Sequence, residues 1–222
     1  MQSSTKKEGR PRGRPRAYDP EEALARARDA FWRNGYANTS LDDLSEATGM
    51  NRPSLYGAFG DKHALYLQTM ERYVEAGRAA MDAALDSALP LRDALMCVFD
   101  RALDWYLPPH EAARGCLLIG TAAVEAVNDD AIRELLAAGL RSFDKAFERR
   151  LRTALAQGEL PPEANAPVLA RLASALLHST ALRARAGDSR ASLRAMAVAG
   201  VALICGSAPA ASDARAAARR AK

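Results

Sequence analysis

Few residues in this 222-residue chain have the type and spacing that covalent chemistry needs. The acidic pairs Asp42-Asp43 and Asp129-Asp130 stand where helices begin, and carboxylates there answer the helix dipole rather than work as an acid and its base. Cys97, Cys116 and Cys205 are widely spaced, odd in number and set in apolar surroundings, so they make neither a disulfide framework nor a metal site. The chain shows no nucleophile–base set, no metal-ligand spacing and no glycine loop to cradle phosphates. It is therefore expected not to be an enzyme and to need no metal and no cofactor. The clearest chemistry is of another kind. Asn51, Arg52, Ser54 and Tyr56 cluster as short polar groups around one arginine, and such groups hydrogen-bond to base edges and phosphates of double-stranded DNA.

Two short helices are needed to position that cluster. Ser40-Leu41-Asp42-Asp43 has the form of a capping box, and it predicts a helix from about Leu41 to Thr48. Gly49 supplies a turn conformation that a Cβ would resist. Asn51 then caps a second helix running to about Phe59, with Pro53 near its start. Small Ala47 allows the two helices to cross closely, and Leu44, Met50 and Leu55 lock the crossing. The second helix projects Asn51, Arg52, Ser54 and Tyr56 outward, which is the layout of a helix-turn-helix entering a major groove. Asp19-Pro20 opens a preceding helix that Asn34-Gly35 ends, and Asp61 caps a long one reaching about Ala88.

The pattern Phe31-Trp32-x-x-Gly35-Tyr36-x-x-Thr39-Ser40-x-x-x-Leu44-x-x-x-x-Gly49-x-x-x-x-Ser54-Leu55-Tyr56-x-x-Phe59-x-x-Lys62-x-x-Leu65 resembles the N-terminal signature of the TetR family. It covers about 35 residues with most marker positions filled; the rest of the chain resembles the family only in its helix pattern. The resemblance implies a three-helix DNA-binding head, a larger helical ligand-binding and dimerisation domain, and a homodimer with one head per half-site. It also implies that Ser54 and Arg52 face base edges, Arg52 suiting guanine, and that Tyr56 and Lys62 contact phosphates. Thr39 and Asn51 are further candidates for backbone contacts. Gly57 departs from the bulkier residue often found after the tyrosine and offers no side chain to a base.

Charge divides the chain further. Residues 1–16 carry +5 and residues 208–222 carry +3, leaving −4 for the middle of a chain of net charge +4. The segment Arg12-Gly13-Arg14-Pro15-Arg16 completes two copies of Gly-Arg-Pro-Arg and is similar to an AT-hook core. Glycine lets the backbone sit deep, proline keeps it extended, and Arg12, Arg14 and Arg16 suit a narrow, negative A·T-rich minor groove. Residues 17–63 hold five basic and eight acidic side chains, so this head needs cations from elsewhere. The expected order is a disordered basic arm over 1–16, a helix-turn-helix domain over 17–63, a helical regulatory and dimerisation domain over 64–206, and a disordered tail over 207–222.

Beyond Pro90 the helical patterns lengthen to about 91–107, 112–127, 129–157, 162–187 and 189–206, and no sustained alternation argues for a strand, so the fold class is all-α. By resemblance, the dimer bundle falls to 129–157 and 162–187. Met70, Tyr73, Met96, Phe99, Leu103, Tyr106, Cys116 and Leu118 are candidate lining for a small-molecule effector pocket, since methionine adapts and aromatics offer flat surfaces. Cys116 follows Arg114-Gly115 at an expected helix start, where dipole and arginine would lower its pKa and make a reactive thiolate. His178 reads as a satisfied helix histidine. No signal peptide or membrane span is visible, so the expected place is the cytoplasm. The expected function is a repressor released from its operator by a small effector. An A·T-preferring architectural DNA binder or an activator is the alternative.

Overall fold

The computed structural model describes residues 18–206, and those residues form helices and loops without a strand. The arm residues Arg12, Arg14 and Arg16 and the tail 207–222 lie outside the described residues. Three helices make the head: α1 (Pro20–Asn38), α2 (Leu41–Thr48) and α3 (Arg52–Phe59). Asp19 caps α1 by accepting from the Glu21 amide, with Pro20 in the first turn. At Gly35 (φ 78°) the helix breaks where the sequence predicts, and one further turn carries it to Asn38. Leu44, Met50, Leu55 and Phe59 are buried together, so three short helices share one small core.

α4 (Lys62–Leu85) joins head to body. Its first half buries Leu65, Tyr66, Met70 and Tyr73, and Tyr66 meets Phe31 edge-on with ring centroids 5.1 Å apart. The expected boundary at residue 63 thus falls in the first turn of a continuous helix that belongs to both parts. The body adds α5 (Leu91–Tyr106), a short α6 (Ala123–Glu125) entered through a π-helical turn at Leu118–Ala122, α7 (Asp130–Ala156), α8 (Ala166–Arg185) and α9 (Arg190–Ile204). Asp61, Asp129, Asn165 and Ser189 cap α4, α7, α8 and α9 with their side chains, and α8 begins at Ala166, later than the expected 162.

One expected helix is corrected. The segment predicted as helical over 112–127 is non-helical through Cys116. The amides of Arg114 and Gly115 both donate to the Tyr106 carbonyl, at 2.8 and 3.3 Å, and Gly115 takes φ 63°. These bonds fold the chain back on the end of α5, so a helix cannot begin before Leu117.

Helix α7 buries Ile132, Phe143, Phe147 and Leu151 within the protomer. The large apolar side chains left exposed lie elsewhere: Val168, Leu172 and Leu182 on α8 and Leu203 on α9, and also Leu89, Trp105, Val124 on α6 and Val127 just after it, besides Tyr56 on α3. Of the expected dimer pair 129–157 and 162–187, the second carries exposed large apolar side chains and the first carries none. Phe143, Phe147 and Leu151 have the spacing of an interface but are used by the core.

Candidate DNA-binding surface and internal cleft

Local chemistry fixes the helix-turn-helix. The Ser40 hydroxyl accepts from the Asp43 amide at 3.1 Å, and the Ser40 amide donates to Asp43 Oδ2 at 2.8 Å, closing the capping box. The Ser40 amide and the Ser40 hydroxyl, both donating to Oδ2, hold the Asp43 carboxyl below its ordinary range. Gly49 adopts φ 69°, the left-handed turn expected of it. The Thr48 hydroxyl accepts from the Met50 amide at 3.3 Å, and Asn51 Oδ1 accepts from the Ser54 amide at 2.9 Å to start α3.

The outer face of α3 presents Asn51, Arg52, Ser54 and Tyr56 to solvent, and the Tyr56 ring is 47% exposed instead of packed inside. Arg52 is not free: its guanidinium makes a two-toothed pair with Asp42 of α2, the shortest contact being 2.6 Å. Thr39 is fully buried, and its hydroxyl donates to the Gly35 carbonyl at 2.6 Å. Its side chain is thereby removed from the surface that a backbone contact requires. Lys62 is half-buried; its ammonium sits 4.5 Å from the centre of the Tyr36 ring and donates to the Ala37 carbonyl at 3.4 Å, at the C-terminal end of α1. Burial lowers its pKa, with Glu125 and Asp43 pulling the other way.

Head and body meet in an aromatic seam. Trp32 crosses Tyr73 edge-on at 5.1 Å, and its indole N–H donates to the Arg114 carbonyl at 3.1 Å. Tyr36 leans on Tyr66 at 4.8 Å, and the Tyr66 and Thr121 hydroxyls share a 2.7 Å hydrogen bond. Burial pushes the Tyr66 phenol up to about 12, against the opposing pull of Thr121. The signature aromatics Phe31, Trp32 and Tyr36 are thus the residues that weld the head to α4 and to the π-helical turn.

Behind this seam lies a narrow cleft of about 70 Å³ between α4, α5, α7 and α8. Of the expected lining residues, Tyr73, Tyr106 and Cys116 face it. Met70, Phe99, Leu103 and Leu118 do not; all four are completely buried in filled core. Met96 packs half-buried against that core and also misses the cleft. Periodicity found the inward face of α5, but the cleft is lined by its neighbouring edge: Val98, Arg101, Ala102, Trp105 and Tyr106, repeating at three and four residues. Trp105 was the missed signal, a large aromatic in step with Tyr106. His178 is also corrected: its Nε2 is buried and has no hydrogen-bond partner among the described residues. Burial lowers its pKa and favours the neutral ring, with Asp144 pulling the other way.

The expected reactive thiolate is overturned. Cys116 is 6% exposed, and burial raises its pKa despite hydrogen bonds from Tyr73 and the amides of Ile119 and Leu118. The Arg114 guanidinium turns away from it, pairing with Glu111 and Asp29 and stacking over Trp32. Tyr73 donates to Cys116 Sγ and accepts from the Leu117 amide, both at 3.3 Å, so one phenol links the cleft wall to the helix that follows. Among the described residues no group of histidine, cysteine and carboxylate side chains is placed to hold a metal, and no helix is long and apolar enough to cross a membrane.

Known proteins share this architecture. The family model described as "Bacterial regulatory proteins, tetR family" matches residues 23–69, and that described as "Tetracyclin repressor-like, C-terminal domain" matches residues 92–199. The chain is 29% identical to the HTH-type transcriptional repressor ComR of Escherichia coli over 86% of its own length and 90% of the relative's. It is 30% identical to the HTH-type transcriptional regulator YezE of Bacillus subtilis, over 68% and 77% of the two chains. Among solved structures, a cysteine mutant of the TetR family transcriptional regulator CifR in complex with 26-bp double-strand operator DNA superposes with a TM-score of 0.72 at 29% identity, covering 88% of this chain and all of that one. These relatives are regulators of transcription, not enzymes. The chain belongs to the TetR family of bacterial DNA-binding transcriptional regulators.

Proposed function

We propose that the protein is a homodimeric repressor that leaves its operator when a small, largely apolar molecule occupies the cleft beside Trp105. The observation that carries this reading is the cleft's wiring. Its wall residue Tyr73 grips Cys116 and Leu117, and the π-helical turn that follows is tied to α4 through Thr121 and Tyr66. Tyr66 in turn packs on Phe31 and Tyr36 of α1. A ligand that moved this wall would act on α1 and α4, and so on the attitude of α3. Release requires that the ligand prefer the state with mismatched heads.

The cleft favours a neutral, flat molecule. Aromatic and aliphatic carbon dominates its lining, and His178 Nε2 is its one buried side-chain polar atom without a hydrogen-bond partner among the described residues. On DNA, Asn51, Arg52, Ser54 and Tyr56 supply the major-groove and phosphate contacts, Lys62 adds charge at the start of α4, and Arg12, Arg14 and Arg16 reach an adjacent minor groove. A second copy joins through the exposed apolar face of α8 and α9, setting two heads at half-site spacing.

Fluorescence anisotropy with DNA from upstream of the protein's own gene, against random DNA over a salt series, tests this. Saturable binding that beats random DNA by roughly 10³ or more supports a specific regulator. Equal, salt-labile binding to both would leave only tail electrostatics, and a broad preference for A·T-rich DNA would favour the architectural reading.

A further inference from the structure

Arg52 is the only cation carried by α3. Its Nε donates to Asp42 Oδ1 at 3.0 Å, and its Nη2 donates to Oδ1 and Oδ2 at 2.6 and 2.7 Å. The pair bridges the first turn of α2 and the first turn of α3, with the two side chains 54% and 75% exposed. An ion pair this open contributes little to stability. Buried Leu44, Met50 and Leu55 already hold the two helices together. The contact therefore calls for another purpose.

A guanidinium has five N–H donors in a rigid fork. Its side edge, Nε with one Nη2 hydrogen, is taken by the Asp42 carboxylate. Its end edge, Nη1 with the other Nη2 hydrogen, has no partner among the described residues. Guanine offers O6 and N7 as paired acceptors in the major groove, spaced for such an edge. We propose that Asp42 is a positioning residue for base recognition: it grips Arg52 by the side edge so that the end edge is presented, already oriented, to one guanine in each half-site. An unbraced arginine gives up rotamer freedom on binding, and bracing removes that loss in advance. The same pairing neutralises a carboxylate that would otherwise stand near phosphates in a head of net negative charge. The inference rests on α3 being the helix that enters the major groove, and it adds a role for Asp42 that neither the signature nor the helix pattern assigns.

Removing Asp42 also removes a negative charge, which tightens binding to any DNA, so affinity alone does not test the idea. Base preference does. Full-length wild type, Asp42→Ala, Arg52→Gln and the double variant would each be used to select duplexes from a random-sequence library. Anisotropy would then be measured on every single-base-pair change in the wild-type site. Wild type should show one guanine per half-site whose replacement weakens binding roughly 5- to 150-fold. Arg52→Gln should abolish that penalty. Asp42→Ala should cut it several-fold at that position alone, with random DNA bound as well or better, and the double variant should match Arg52→Gln. A guanine penalty unchanged in Asp42→Ala overturns the proposal. So does a loss spread evenly over all positions, which would mark Asp42 as a packing residue, or an Arg52→Gln protein that keeps every guanine. If wild type enriches no sequence at all, the reading of α3 as the base-reading helix fails first, and the proposal falls with it.

Discussion

A methyl group added at Gly57 would meet no atom within 4 Å, and the residue lies inside α3 with ordinary helical geometry. Glycine there is a cost without a steric need, roughly 0.5–1 kcal/mol relative to alanine. Gly57→Ala should raise the free energy of unfolding by about that amount in urea titrations. A destabilised variant would mean that α3 relies on some freedom of its backbone. Because the position faces outward between Tyr56 and Ala58, the same variant also reports whether an empty spot on α3 matters to DNA affinity. At this scale the sequence supplied the residue types of the candidate DNA-binding surface, and Asn51, Arg52, Ser54 and Tyr56 among them are exposed at α3. It could not supply partners. Asp42 is ten residues from Arg52, and nothing in either residue's type announces the pair. Likewise, Cys116 beside Arg114 reads as an activated thiol until Arg114 is seen to be engaged by Glu111, Asp29 and Trp32.

At the scale of elements, the loop before the π-helical turn is held by backbone on both sides. Gly115 sits at φ 63°, and a Cβ there would lie 2.6 Å from the Ala181 carbonyl oxygen of α8, a backbone atom that cannot swing aside. Gly115→Ala combines a strained backbone with overpacking and should cost about 3 kcal/mol in unfolding free energy. Thermal melting checks this; a loss well under about 1 kcal/mol would show that the loop can leave α8 freely. Most helices were legible because their caps and apolar stripes are local. The 112–127 prediction missed its start because Tyr106 captures the amides of Arg114 and Gly115 and Trp32 captures a carbonyl there. Those partners come from α5 and α1, and no window of sequence around residue 115 contains them both.

At the scale of the whole molecule, two surfaces carry predictions. The face of α8 and α9 exposes Val168, Leu172, Leu182 and Leu203, while Gly200 lets the two helices approach closely enough that a Cβ there would clash with Leu176. If this face pairs protomers, Leu172→Arg with Leu203→Arg should give a monomer in sedimentation velocity, still helical by circular dichroism, with operator affinity lost at least tenfold through the missing second half-site. A variant that stays dimeric would move the interface elsewhere. The second surface is the far end of the body, where Arg150, with a side chain 6% exposed, donates to Glu159 at 2.8 Å and to the Leu89 carbonyl at 3.1 Å. Burial raises the Glu159 carboxyl, but the Leu91 amide and Arg150 outweigh it, and its pKa ends below the ordinary value. Asp129 is lowered too, through the Ile132 amide and His63. Carboxyls depressed in the folded state contribute stability that is complete above their unfolded values, about 4 to 4.5, and that is lost as pH falls through the folded ones. Melting temperature should therefore hold near neutrality and fall progressively as the pH drops below about 4.5. Glu159→Gln should melt lower at pH 7 and show a shallower fall in acid.

By itself the sequence determined the helical class, the capped helix-turn-helix and the family, because caps, glycine turns and apolar periods act over a few neighbouring residues. Tertiary structure alone decided which apolar residues became core, cleft or exposed face, since all three use the same side chains at the same spacing. It also decided the state of every titratable group that matters. The buried Cys116 thiol, the His178 Nε2 with no partner among the described residues and the Arg52 fork held by Asp42 take their chemistry from surroundings that only folding creates.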